Sequence, residues 1–305
     1  MIQNRFSAFW HSLSHRDRIG LIILFTVALL APFWGGWDFR ESVRKETLSG
    51  NYVYTYNPYP AYWLFYLYAI WPPTLGYILW NLTNALAFLY ALRYWKADLF
   101  LFSVSLAAFW NFFGGQYEGF FAAGFVLALQ GNWLWGGLGI FLLTFKPQVG
   151  WPLLLFALYR RREPRLLILP GILYALSFFV YGFWIPEWVE HILRGYRSAL
   201  IGSTNVSWYP IGLIFLALLF FYRDAIKIWI LANSLAMPYY PIYSLATYFT
   251  MRSLPLWFHL SLWGFYALAF LFPSLPSIGF LIPLGLLGYE MIKHRKGYEN
   301  APSVP

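Results

Sequence analysis

The chain has 305 residues, of which 60% are hydrophobic, 23% aromatic and only 11% charged, and its mean hydropathy is +0.54. Soluble domains carry about a quarter charged residues, so this composition excludes an ordinary globular domain and predicts an all-α polytopic membrane protein. The net charge of +9 lies in short clusters between apolar runs, which does not suggest a nucleic-acid partner, and the absence of cysteine excludes disulfides and thiolate chemistry.

The N-terminal part of the chain combines an apolar run with a dense charged stretch. Residues 19–34 are apolar, follow basic residues and precede no small-residue cleavage site, so they predict an uncleaved signal anchor. Six of the ten residues in 37–46 are charged. Residues 60–73 are bounded by proline and rich in Trp and Tyr, which predicts a helix lying in the membrane interface. We therefore interpret residues 35–73 as a first outer loop.

Further apolar runs bring the predicted number of transmembrane helices to about 12, within a range of 10–12. After the first span they are 74–94, 99–113, 120–129, 133–145, 149–159, 166–183, 211–221, 226–236, 242–251, 254–271 and 278–292. Residues 184–209 form a second outer loop. Residues 1–293 are thus predicted to be a single transmembrane domain, and residues 294–305 a cytoplasmic tail.

The distribution of basic residues sets the predicted orientation. With the N-terminus inside, only six of the 21 Lys and Arg residues lie on the outer side: Arg40, Arg44, Lys45, Lys146, Arg194 and Arg197. Such a bias is what the positive-inside rule expects. The sequence therefore predicts a multi-pass plasma-membrane protein with both termini in the cytoplasm.

The outer-side polar residues are the candidates for a functional site, because ionisable groups at membrane depth are costly. Asp38 follows the first span between Trp37 and Phe39, where partial desolvation would raise its pKa into the range of a general base. A structural alternative is an interfacial carboxylate that pairs with Arg40 or Arg44. Without further information the structural alternative is preferred.

Three other segments add candidates, each with a structural alternative. Lys146 precedes a helix-breaking proline, and it either neutralises a lipid-linked phosphate or extends to the headgroups. Gln116 and Glu118 follow two glycines, and they either contact a sugar or cap a helix. The segment "WIPEWVEHILRGYR" is amphipathic. Its His191, Arg194 and Arg197 either bind a phosphate or sugar, or form surface ion pairs with Glu187 and Glu190.

The order of several short motifs resembles a known superfold. An Asp-Phe after the first span, the element "YNPYP" before an aromatic helix, Gly-Gln at 115–116, Lys-Pro at 146–147 and "PYYPIYSL" from residue 238 occur in this order. This series resembles the GT-C lipid-dependent glycosyltransferases, and within them the bacterial polyprenyl-phosphate-mannose-dependent mannosyltransferases and arabinofuranosyltransferases. The family usually continues its Gly-Gln turn with Asn, whereas Tyr117 and Glu118 follow here.

The resemblance implies an inverting transferase whose active site faces the outside of the membrane. A polyprenyl-phosphate sugar would be the donor, a lipid or glycan the acceptor, and Asp38 the general base. Lys146, Arg194 and Arg197 would hold the donor phosphate, while Gln116, Glu118, His191 and Tyr59 would contact the sugar. The reaction so drawn uses no cofactor and requires no metal, although a divalent ion is not excluded. Membrane lipids are the other expected partners.

Two other classes of protein share this composition. A transporter or lipid-linked sugar flippase would also have many spans and some buried polar groups, although such proteins usually place their site near the bilayer midplane within repeated halves. The chain shows no internal repeat, and the middle of its apolar runs is almost free of charge. A non-catalytic scaffold would not need an ionisable cluster at the outer face. The transferase is therefore the preferred hypothesis, with the transporter as the alternative.

Overall fold

A computed structural model describes residues 10–50, 57–199, 205–272 and 278–296. The protein is 79% helical and contains no strand within these ranges, which confirms the predicted all-α class. The helices of the first half of the chain are α1 (His15–Leu30), α2 (Lys45–Ser49), α3 (Ala61–Ala69), α4 (Pro73–Trp95), α5 (Leu99–Ser103), α6 (Leu106–Gly114), α7 (Glu118–Gln130) and α8 (Trp133–Leu143).

The second half continues the helical pattern. Its helices are α9 (Pro147–Arg161), α10 (Ile168–Tyr181), α11 (Ile185–Ala199), α12 (Leu218–Phe221), α13 (Ile226–Ala236), α14 (Ala246–Met251), α15 (Leu256–Leu271) and α16 (Leu281–Arg295). Several helices are extended or preceded by 3₁₀ segments: Ala31–Phe33, Pro164–Leu167, Ile211–Ala217 and Ile242–Leu245. The stretch Asp38–Arg44 is a π-helix that leads directly into α2.

Side-chain caps explain where several helices begin. Ser14, Asp98, Ser105 and Asn132 each accept a hydrogen bond from a backbone N–H of the first turn, at the starts of α1, α5, α6 and α8. Ser105 also accounts for a difference from the sequence prediction. Residues 99–113 were expected to be one span, but the chain turns at Val104 and Ser105 starts a new helix, so two short helices replace it.

The core forms around α7, which is buried along nearly its whole length. Glycines let the neighbouring helices approach closely. A Cβ at Gly119 would lie 2.7 Å from the carbonyl oxygen of Asn84 on α4, and one at Gly139 on α8 would lie 2.3 Å from that of Gly124. Close backbone approach through small residues is common where helices pack inside a membrane.

A buried side-chain amide joins three helices of the core. The Nδ2 of Asn81 on α4 donates to the carbonyl oxygens of Ala28 on α1 and Phe112 on α6, at 3.2 Å each. Asn81 is fully buried. Because an unsatisfied buried polar group is costly, these bonds fix the three helices relative to one another.

Within the described ranges, two helices are long and apolar enough to cross a membrane: α4, and α10 with its preceding 3₁₀ turn. A third candidate is the pair His15–Phe33 and Asp38–Ser49, counted as one broken span. Shorter apolar helices of 11–13 residues, such as α7, α8 and α13, reach about 16–20 Å at 1.5 Å per residue, against a hydrocarbon core of about 30 Å. The prediction of about 12 spans is therefore not confirmed, since several of the apolar runs fold into helices of this length or shorter.

The bend after α1 places the first candidate residue. The segment Asp38–Ser49 turns by 72° from His15–Phe33. Its π-helical start is an uncommon geometry that often occurs at functional sites. Arg40 donates to the carbonyl oxygen of Pro32 across the bend. Asp38 consequently lies beyond the end of the first straight helix, on a separately oriented segment.

Candidate functional site

Four residues selected from the sequence form one hydrogen-bonded chain. The Nε2 of Gln116 donates to Oδ2 of Asp38, and its Oε1 accepts from Nζ of Lys146 at 3.0 Å. The same Nζ lies 2.7 Å from Oε1 of Glu118. A carboxylate, an amide, an ammonium and a second carboxylate are thus linked across segments that are far apart in the sequence.

Lys146 lies in an aromatic and largely dry environment. It immediately precedes α9, and only 8% of its surface is exposed. Its Nζ lies 5.3 Å from the ring centre of Tyr117 and 4.8 Å from that of Tyr243. Ring faces attract cations, and more strongly where water is excluded. The ammonium is therefore held at a fixed position between two rings and a carboxylate.

Glu118 lies behind Lys146 and is fully buried. Its Oε1 accepts from Lys146 and from Oγ of Ser244 at 2.8 Å, and its backbone N–H donates to Oδ1 of Asn111 at 3.0 Å. No residue in the described ranges donates to its Oε2. This environment orients Glu118 toward Lys146.

Two glycine turns pack against each other beneath Asp38. Gly115 has a φ of +82°, and a Cβ there would lie 2.8 Å from Cβ of Phe39. From the turn at Gly36, the backbone N–H donates to the carbonyl oxygen of Phe113 at 2.7 Å. The Nε1 of Trp80 donates to the carbonyl oxygens of residues 115 and 116, at 3.1 Å each. These contacts bring the end of α1 to the turn between α6 and α7, and so bring Asp38 to Gln116.

This packing makes a testable prediction about Gly115. Replacing it by alanine forces a side chain into a left-handed conformation and against Phe39, so we expect unfolding to become easier by about 1–3 kcal/mol. The neighbouring Gly114 is the matched control, because it has helical geometry and its Cβ would meet nothing closer than 3.6 Å. Thermal unfolding in detergent should show G115A below wild type and G114A at or above it. Equal unfolding temperatures of the two variants would contradict the packing argument.

Asp38 also borders an open cavity. The cavity has a volume of about 510 Å³ and is lined by Trp34, Gly35, Gly36, Trp37, Asp38, Arg40, Glu41, Trp110, Phe113 and Gly114. Burial of its carboxyl raises the pKa of Asp38 to about 6, although the positive charge of Lys146 acts in the opposite direction. A carboxyl with this pKa is ionised at neutral pH and basic enough to accept a proton from a hydroxyl.

An apolar groove is lined in part by Pro147, the residue that follows Lys146 in the chain. Its volume is about 220 Å³, and it is lined by Pro58, Leu143, Thr144, Pro147, Trp151, Leu154, Tyr174, Trp184, Ile185 and Trp188. Proline, leucine and tryptophan side chains dominate this lining. A groove of this composition suits a hydrocarbon chain better than a polar ligand.

The remaining predicted site residues lie on or beside α11. The ring of Tyr59 stacks on Trp184 at 5.1 Å, and its hydroxyl shares a hydrogen bond with Glu187. His191 is half-buried, and its Nδ1 has no hydrogen-bond partner in the described part of the chain. The predicted helix over this segment is present. The side chains of Arg194 and Arg197 lie outside the described residues.

Several residues of the cluster were not singled out from the sequence. Ser244, Tyr243 and Asn111 all contact the Glu118–Lys146 pair or its backbone. Tyr243 and Ser244 belong to the motif "PYYPIYSL", but no role was assigned to them, and no motif includes Asn111. Glu46 was counted only as one of six charges in residues 37–46, yet it is 4% exposed.

No group of three or more His, Asp or Glu side chains in the described ranges is arranged to hold a metal ion. Comparison of the chain with protein-family models, with curated proteins and with solved structures gave no match. The resemblance to the GT-C transferases therefore stays a prediction that depends on the motifs.

Proposed function

We propose that this protein is an integral-membrane inverting glycosyltransferase that moves a sugar from a polyprenyl phosphate to a lipid or glycan acceptor. The observation that carries the proposal is the position of Asp38. Its carboxyl borders an open cavity and is joined through a single amide, Gln116, to the buried ammonium of Lys146. Transfer from a lipid phosphate requires a base for the acceptor hydroxyl and a cation for the leaving phosphate, and these two residues supply both groups.

The membrane setting of the proposal combines the composition with the long apolar helices. The bias of basic residues to one side supports cytoplasmic termini and a site on the outer face of the plasma membrane. We place α1, α4 and α10 across the bilayer and Asp38–Ser49 at the outer interface, beyond the crossing. About 12 crossings is the finer proposal, in which shorter helices pair to span the bilayer or re-enter it.

The donor site is assigned to Lys146 and the apolar groove. A phosphate beside the ammonium would be neutralised, and the isoprenoid chain would lie along Pro147, Trp151 and Trp184. The ammonium of Lys146 lies between the rings of Tyr117 and Tyr243, which keep it dehydrated. The low local dielectric strengthens its attraction to a phosphate. Arg194 and Arg197 remain proposed as further phosphate ligands on α11.

The reaction step follows from the position of the base. The acceptor enters the cavity with a hydroxyl toward Asp38, and the hydroxyl oxygen attacks the anomeric carbon of the donor sugar. As the new C–O bond forms, the hydroxyl proton passes to the Asp38 carboxylate and the bond to the lipid phosphate breaks. The phosphate leaves with its electron pair, stabilised by Lys146. Attack from the face opposite the leaving group inverts the anomeric configuration.

The other two residues of the hydrogen-bonded chain are assigned to positioning. Gln116 holds Asp38 and Lys146 at a fixed separation through its two amide atoms. Glu118 is fully buried against Lys146, so we now assign it to holding the ammonium in preference to the sugar contact that the motifs implied. His191 and Tyr59 stay proposed as sugar contacts.

The test is sugar transfer by the purified protein in detergent. Polyprenyl-phosphate mannose and the corresponding pentose donors are supplied with a crude lipid extract, and the product is analysed for linkage and anomeric configuration. We expect a glycosylated acceptor of inverted configuration together with free lipid phosphate. Retained configuration would overturn the mechanism. Movement of intact lipid-linked sugar across reconstituted vesicles, without transfer, would favour the flippase.

A further inference from the structure

A second carboxyl lies on the same segment as Asp38 and has no role in the proposed reaction. Glu46 is on α2, eight residues after Asp38, and only 4% of its surface is exposed. The hydroxyl of Tyr62 on α3 donates to its Oε2 at 2.6 Å. No residue in the described ranges donates to its Oε1. One oxygen of this buried carboxyl therefore has a donor, and the other, although buried, has none within the described part of the chain.

The second carboxyl oxygen is unexpected if Glu46 only anchors α2 to α3. One acceptor suffices for the bond from Tyr62, and a glutamine would supply it without placing a carboxyl in the interior. A buried acceptor that lacks a donor costs free energy. Buried groups that are kept at such a cost are often those that meet a ligand.

The surroundings of Glu46 connect it to the donor site. It is close enough to the hydroxyls of Tyr59 and Tyr117 for its charge to act on both. The ring of Tyr117 covers Lys146, while its hydroxyl donates to Oδ1 of Asn57. Tyr117 thus extends from the phosphate-binding cation to the neighbourhood of Glu46, and a sugar attached to that phosphate would lie within the same region.

The chemistry of this region is that of a hydroxyl-binding subsite. Carboxyl, amide and phenol groups all form hydrogen bonds with hydroxyls, and the carboxyl bonds are the strongest. Burial raises the pKa of Glu46 to about 7, while the hydrogen bond from Tyr62 acts against the rise. Ionised or protonated, the carboxyl can still accept a hydrogen bond from a hydroxyl at its Oε1.

We propose that Glu46 binds a hydroxyl of the transferred sugar through Oε1 and so determines which sugar the enzyme accepts. The inference rests on the proposed function, because it places the sugar of the lipid-phosphate donor beside the Tyr117 ring. It assigns Tyr62 to positioning the carboxyl. Asp38 and Lys146 keep the roles of base and phosphate ligand.

The experiment compares the binding of two probes that share a farnesyl phosphate group, one of which carries mannose as a phosphodiester. Farnesyl phosphate and mannosyl-phosphofarnesol are titrated against the purified protein in detergent, and the ratio of their dissociation constants gives the contribution of the sugar. We expect wild type to favour the mannosylated lipid. Glu46→Gln should reduce that preference about ten- to 100-fold. The NH₂ group of glutamine is a donor, so it replaces or competes with the oxygen that accepts the hydrogen bond from the sugar hydroxyl. Binding of farnesyl phosphate itself should be unchanged.

Matched variants separate recognition from folding. Tyr62→Phe removes the partner but keeps the carboxyl, so it should lower the unfolding temperature while retaining most of the sugar preference. Lys146→Met should weaken both probes and leave their ratio unaltered. If Glu46→Gln does not fold, Glu46→Asp is measured, and its shorter side chain should give the same loss of preference.

The outcomes distinguish the two proposals. If wild type binds neither lipid, the proposed function fails, and the role of Glu46 fails with it. If both lipids bind and Glu46→Gln keeps the wild-type ratio, only the role of Glu46 is overturned. A change of ratio of the same size in Tyr62→Phe as in Glu46→Gln would also overturn it, since loss of the packing contact would then explain both.

Discussion

Replacing Asp38 by asparagine is expected to reduce sugar transfer about 10²- to 10⁴-fold, the usual contribution of a general base. Asparagine has nearly the same shape, and its Oδ1 can accept the hydrogen bond that Gln116 now donates to the carboxylate. Binding of the lipid-phosphate donor should therefore persist while transfer is lost. The measurement is the initial rate of product formation, beside a titration of donor binding.

The pH profile and a control variant complete this prediction. Because the pKa of Asp38 is raised to about 6, the ionised base predominates above that pH. Transfer should reach a plateau there and fall about tenfold per pH unit below it. Asp224→Asn, which removes an exposed partner of Arg160, should behave as wild type. A D38N variant with an undiminished rate would show that the base lies elsewhere.

Replacing Lys146 by methionine should remove both donor binding and part of the stability. The ammonium and Glu118 are a buried pair, with side chains exposed by 10% and 0%. Removing one member leaves an uncompensated buried charge, which costs about 3–5 kcal/mol. A loss of transfer in this variant alone would therefore not identify a phosphate ligand.

The double variant Lys146→Met/Glu118→Gln separates the two effects. It leaves no unpaired charge at positions 118 and 146, and Gln at position 118 can still accept from Ser244. We expect its unfolding temperature in detergent to recover most of what K146M loses, while donor binding and transfer stay absent. Recovery of transfer together with stability would mean that Lys146 is structural and that the phosphate binds at another cation.

The sequence predicted the polar cluster better than it predicted the spans. Asp38, Gln116 and Lys146 were recognisable because each lies at the end of an apolar run, where a polar side chain is costly unless it has a partner. Their order along the chain favoured convergence at one face. Their hydrogen-bonded chain depends on the packing of residues 35–39 against residues 112–116, which no local pattern indicates.

Other features of the site and of the fold could not be predicted from the sequence, for physical reasons. Ser244 meets Glu118 across 126 residues, a contact that neither hydropathy nor periodicity can reveal. Within the described ranges one oxygen of Glu46 has no donor, and this depends on which side chains surround it. The predicted number of spans is not confirmed, because hydropathy measures composition, whereas helix length also decides whether a helix crosses. The run of residues 99–113 is interrupted by the cap Ser105, which looks in the sequence like an ordinary serine.

The large sequence separation between Ser244 and Glu118 has a consequence for the order in which the site assembles during synthesis. The four linked residues of the site all leave the ribosome well before Ser244: Asp38, Gln116, Glu118 and Lys146. Ser244 follows Lys146 by nearly a hundred residues. At about 5–20 residues per second, the ammonium and its carboxylate wait for several seconds without the hydroxyl and ring that complete their enclosure. Insertion of the later helices is thus the final step in assembling a site whose charged members come from the first half of the chain.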